Sequence, residues 1–184
     1  MSKKISTLKS NLKFNDATQY REMFSPDFAV GWNAIDKHLQ FMLPNRTFTH
    51  FPQQNKDEPL DNIAVCTFED GHLYCVGYGL SQLYYDETSY GNLISKYGFE
   101  LTLNIEPSED ALSLYFQCMQ SIAKQIIEFD LDPFNQEQVF DLNENITILF
   151  QGRLQTFRLI PDNRLKKMGS SHGQHQFLEI KLLK

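Results

Sequence analysis

The 184-residue chain reads as an α+β domain, a mixed and mainly antiparallel sheet with helices packed on it. Three observations predict this. Two stretches, around residues 32–42 and 112–126, carry apolar residues at helical spacing. Strand-like runs between residues 62 and 105 include two joined by a tight turn. From Ile146 onward, strand patterns dominate.

Residues 1–29 have mixed polarity and no strong period, and read as an N-terminal extension with a short helix near Ala17–Phe24. Residues 30–184 form the domain proper. In "GWNAIDKHLQFMLP", Trp32, Ile35, Leu39 and Met42 make one apolar stripe; Gly31 precedes this helix and Pro44 ends it. "RTFTHF" is a short extended piece. "IAVCTF" and "HLYCVGYG" then pair across Glu69-Asp70-Gly71, a hairpin connection.

In "FELTLNI", Phe99, Leu101, Leu103 and Ile105 alternate with Glu100, Thr102 and Asn104, which predicts a half-buried strand. The strongest helix is "PSEDALSLYFQCMQSIAKQIIEF". Ser108 is its N-cap, Glu109 and Asp110 lie in its first turn, and Leu112, Tyr115, Phe116, Met119, Ile122, Ala123 and Ile126 form its apolar face. A short strand around Gln138–Leu142 follows, then "ITILF", "LQTFRLI", the polar loop "PDNRLKKMGSSHGQ" and the strand "HQFLEIKLL". The helices are expected on one side of the sheet.

Composition narrows the function. A chain 41% hydrophobic and 22% charged is globular, and its fifteen Phe and eight Tyr suit a core or an interface. The net charge of −6 gives no electrostatic footprint for nucleic acid or an anionic membrane. "MSKKISTLKSNLKFND" has no apolar signal region, and no run approaches the ~18 apolar residues of a membrane span. Cys66, Cys75 and Cys118 lie in apolar runs as free thiols, which places the chain in the cytoplasm.

Catalytic motifs find little support. "GYGLSQ" lacks the second glycine of G-x-S-x-G after Ser81, and a lone G-x-G does not make a phosphate loop. His172 and His175 offer two ligands where a metal needs three or four, so neither a metal site nor a cofactor is expected. Two alternatives stay open. One is a metal-dependent hydrolase using His172, His175 and a loop carboxylate. The other is a small-ligand sensor with Cys66 and aromatic rings lining a pocket.

Tyr78, Tyr84, Tyr85, Tyr90 and Tyr97 crowd into twenty residues of turn-rich sequence. Such rings suit a protein interface, because each offers apolar area with a polar tip, and they suit equally a loop packed over a sheet edge.

The ordered series "GWNAIDKHLQFMLPNRTFTHF", "PLDNIAVCTF", "HLYCVGYGLSQLY", "YGFELTLNI", "SIAKQIIEF" and "GQHQFLEI" resembles a suppressor of fused domain over residues 30 to 184. "GYGLSQLY" resembles that family's G-L-S-(D/E)-L-Y, and "YGFELT" its G-F-G-F-E-L-T. The resemblance implies an α+β domain that binds proteins and has no catalytic role. In the family's animal regulator a second domain follows, and a transcription-factor peptide is clamped between the two as an added strand.

Stand-alone bacterial members include immunity proteins that neutralise toxins, and a toxin is the partner this resemblance implies. It also places Gln125 where the animal protein has a tyrosine. Glu137 falls at an acidic position in a loop where "NQEQ" replaces the family's G-D-H. The expected partner-binding residues are therefore Tyr78, Tyr84, Tyr85, Tyr90, Gln125 and Glu137.

Overall fold

The computed structural model describes residues 17–107, 112–128 and 145–183. Helix α1 spans Ala17–Met23, α2 Val30–Met42 and α3 Leu112–Glu128. Strands β1 to β8 are Thr49–Pro52, Asn62–Thr67, Leu73–Tyr78, Ile94–Ile105, Asn145–Phe150, Arg153–Pro161, Met168–Ser170 and Gly173–Leu182. The sheet runs β1-β2-β3-β4-β8-β6-β5, with β7 pairing β8 off this path. Only β4 and β8 pair in parallel among these strands, so the sheet is mixed and mainly antiparallel.

The hairpin of β2 and β3 turns at Phe68–His72, where Gly71 takes a φ of 84°. The hairpin of β5 and β6 turns on Gln151 and Gly152, both at positive φ, as a tight two-residue connection requires. The short strand β7 lies within the segment expected to be a polar loop. The proposed cap at Ser108 with Glu109 and Asp110, and the strand proposed at Gln138–Leu142, fall outside the described residues.

Helices cover both faces of the sheet, not one. On one face, Met119, Ile122, Ala123 and Ile126 of α3 pack on Ile63, Val65, Cys75, Leu101, Leu103 and Leu178. On the other, Ile35 and Leu39 of α2 pack on Ala64, Cys66, Tyr74, Val76, Tyr78 and Phe177. Strand alternation sorts neighbouring residues between these two cores.

This arrangement overturns the half-buried reading of "FELTLNI". Strand β4 sits between β3 and β8, and its "polar" side chains Glu100 and Thr102 are as buried as its leucines. Each then needs an internal partner.

Helix α2 begins without a side-chain cap. Instead, the backbone N–H groups of Gly31 and Trp32 donate to the Leu83 carbonyl at 2.8 and 3.2 Å. Gly31 is the second residue of the helix rather than its flank. A Cβ there would lie 2.0 Å from the Gln82 carbonyl oxygen, so only glycine admits this approach.

Candidate protein-binding surface

The turn after β3, "GYGLSQ", wraps around a buried carboxylate. The Glu100 side chain accepts the backbone N–H groups of Gly79, Leu80 and Ser81 at 2.9 to 3.2 Å, and the Ser81 hydroxyl at 2.6 Å. Burial pushes the Glu100 carboxyl up, and these donors offset only part of that rise. Gly79 makes the wrap feasible, since a Cβ there would meet the Pro59 carbonyl oxygen at 2.5 Å.

The same turn is sewn to the start of β4. The Tyr97 N–H donates to the Leu80 carbonyl at 2.9 Å, and the Gln82 N–H to the Ser95 hydroxyl at 2.9 Å. Lys96 reaches the Gly79 carbonyl at 2.6 Å. A register irregularity between Ile94 and Phe99, with Lys96 at a φ of 52°, aims these groups at the turn.

Beyond the turn, an aromatic cluster gathers around Tyr20 of α1. Its ring lies 4.7 Å from Tyr85, 4.8 Å from Tyr90 and 5.6 Å from His172 between centroids. Because the Gln82 carbonyl can only accept, His172 donates to it from Nδ1 at 3.1 Å. Nε2 is then the acceptor for the Tyr20 hydroxyl at 2.5 Å, and that hydroxyl accepts the Asp86 N–H at 3.2 Å. Burial pulls the His172 pKa down, in keeping with a neutral ring. Tyr20 itself is 0% exposed, and Arg21 pairs with Glu87, so the described part of the N-terminal segment is docked on the loop.

The expected contact residues fare differently. Tyr78 belongs to the core: fully buried, it donates its hydroxyl to Asp36 at 2.7 Å. Tyr85 and Tyr90 are half-buried behind Tyr20, and Tyr85 also donates to Glu87. Tyr84 is 50% exposed; partial burial and its bond to Asp61 push its pKa up to about 12. Gln125 stands elsewhere, late in α3, where its amide donates to the Thr147 carbonyl of β5 at 2.9 Å. Glu137 lies outside the described residues.

Nearby, Leu149 and Leu154 face each other across the β5–β6 hairpin, 70% and 77% exposed. Sequence reasoning did not single them out, though the outward leucine in "ITILF" was a readable signal.

The hydrolase and sensor readings lose their residues. Both nitrogens of His172 are engaged by Tyr20 and Gln82, whereas His175 is buried beside Phe177. Among the described residues, no three metal-ligating side chains converge. Cys66 is enclosed in the core under α2, where burial pushes its thiol up to about 11. Among the described residues, no helix is long and apolar enough to cross a membrane.

A family profile described as suppressor of fused protein (SUFU) matches residues 56–183. The chain belongs to the suppressor of fused family. The fold agrees. A chain of the Sufu–Fu complex crystal structure superposes with a TM-score of 0.67 at 20% identity, covering 84% of this chain and 76% of that one.

Drosophila Suppressor of Fused gives 0.69 at 20% identity, with 84% of this chain spanning 42% of that protein. A SUFU homolog from Neisseria gonorrhoeae gives 0.53 at 14%, covering 84% and 78% of the two chains. No curated protein sequence matches the chain. In this suppressor of fused domain, the two motifs "GYGLSQLY" and "YGFELT" are one device, since the second supplies the carboxylate that shapes the first.

Proposed function

We propose that this protein is a non-catalytic protein-binding domain of the cytoplasm, and that its partner is a bacterial toxin that it neutralises. One observation carries the reading. Tyr84 stands 50% exposed on a loop immobilised by the Glu100 carboxylate, the start of β4 and the Tyr20 cluster. A rigid loop presenting an aromatic anchor binds with little ordering cost.

Tyr85 and Tyr90 support the anchor from behind. Gln125, late in α3 and bonded to β5, the end strand of the described sheet, makes a second contact region, and the family resemblance adds Glu137 to it. An extended partner segment would pair along that edge through its backbone. Family membership supports the reading, as does the shared fold with a suppressor of fused chain solved in complex with Fu. The net charge of −6 would steer a basic target, so added salt would slow association.

The test is protection of cells against the candidate toxin, measured with the wild-type chain and with a Tyr84→Ala, Tyr85→Ala double variant. Loss of protection with the fold retained supports the loop as the contact. Unchanged protection removes the loop from the interface, and failure of the wild type to bind or protect removes the toxin.

A further inference from the structure

A cleft of about 410 Å³ opens at the end of the sheet beyond the β2–β3 turn, apart from the tyrosine loop and from Gln125. Two arginines line it, and both guanidinium groups lie against one ring. Arg46 is 5.0 Å and Arg164 5.5 Å from the centre of Phe68. Guanidinium groups stacked on an aromatic face are held flat, which sets the direction of their N–H edges for forking onto an oxyanion.

The cleft is built from beneath. The backbone N–H of Arg164 donates to Asp162 at 2.7 Å, and the buried Asp162 carboxylate accepts the hydroxyls of Tyr74 and Thr102. Arg164 reaches Glu179 only at 4.0 Å, and also lies 5.5 Å from the centre of the Tyr74 ring. Arg46 donates to the Thr67 carbonyl at 3.5 Å.

Two carboxylates also line the cleft, Glu69 and Asp70. Asp70 is turned to its own loop, accepting the His72 N–H at 3.1 Å. Glu69 is bound to Arg46 at 3.2 Å although it is 92% exposed. An exposed pair of this kind is weak, and the Glu69 carboxylate marks how an external one would sit. Deeper in, the Asn104 amide donates to His72 Nδ1 at 3.3 Å. The Asn104 carbonyl oxygen is buried behind the cleft lining with no hydrogen-bond partner.

We propose that this cleft binds a small oxyanion, a carboxylate or a phosphate, between Arg46 and Arg164, with Glu69 as its internal competitor. The site is independent of any protein partner.

The test follows the Nε–H signals of Arg46 and Arg164 by NMR in the full chain, titrated separately with inorganic phosphate and with acetate at constant ionic strength set by chloride. Saturating shifts of both arginines with either anion support the site, and the anion that saturates names its source. Glu69→Gln, on an exposed turn, tightens binding about two- to fivefold by removing the competitor. Arg164→Lys, which keeps the charge but loses the fork, weakens it about tenfold. Shifts that rise linearly with both anions, or a Glu69→Gln variant that binds no tighter, overturn the proposal.

Discussion

The Ser81 hydroxyl donates to the Glu100 carboxylate at 2.6 Å, joining the turn after β3 to the centre of β4. Three backbone N–H groups of the same turn share that carboxylate. The tyrosine loop is therefore shaped from inside the core.

Glu100→Ala leaves those donors buried without an acceptor. Losing the shared acceptor of these buried donors costs about 3 kcal/mol, more than any exposed pair on this surface could offset. Urea denaturation would show it, together with faster amide exchange at Leu80 and Ser81. A variant as stable as wild type would show that the turn holds its form without the carboxylate.

Tyr20→Phe keeps the ring stacked on Tyr85 and Tyr90 but removes the hydroxyl shared by His172 and the Asp86 N–H. The loss of these bonds destabilises the protein by about 2 kcal/mol. Amide exchange at Asp86 separates this from a general loosening, because that N–H alone loses its acceptor. Unchanged exchange there would argue against the bridge.

Gly31→Ala sets helix propensity against packing. In an exposed helix the change would stabilise by about 1 kcal/mol. Here the new Cβ meets a backbone carbonyl at 2.0 Å, and displacing the 82–83 backbone costs about 3 kcal/mol, so the sign reverses. Thermal unfolding reads the outcome directly: a raised Tm would contradict the close approach.

His175 makes the fold acid-sensitive. Burial, with the nearby His38, pulls its pKa down from 6.5 to about 4, and neither ring nitrogen finds a hydrogen-bond partner. The unfolded chain therefore takes up the proton first as pH falls. The contribution is complete above the unfolded value and is lost progressively down to the folded one, about 3 kcal/mol in total. His38 and His172 are shifted in the same direction. His175→Met, which fills similar space without a titrating group, should flatten the stability profile between pH 6.5 and 4 relative to wild type. Parallel profiles for the two proteins would contradict this.

Much of the scaffold was legible because local rules decide it. The stripe Ile35–Leu39 marked α2, and Glu69-Asp70-Gly71 marked the β2–β3 turn. What escaped depends on layers that no local pattern encodes. Glu100 alternates with leucines just as a surface glutamate does, and only a second helix over the other face makes it internal. Tyr20 sits in a segment without periodicity, and its burial is set by rings more than sixty residues away. Tyr78 carried the same sequence signal as Tyr84, yet strand alternation turned it toward α2 and left Tyr84 outside. Strand β7 was too short to rise above its polar neighbours.

Strand β8 lies between β4 and β6 although it comes last of the eight in the chain. On the ribosome, β1 to β4 and the β5–β6 hairpin are made before the strand that bridges them. Until Gly173–Leu182 emerges, Phe99–Thr102 and Phe157–Pro161 each present an unzipped margin to the cell. A nascent chain stalled at that stage is two adhesive fragments rather than one domain, and chaperone demand should peak just before the final strand is released.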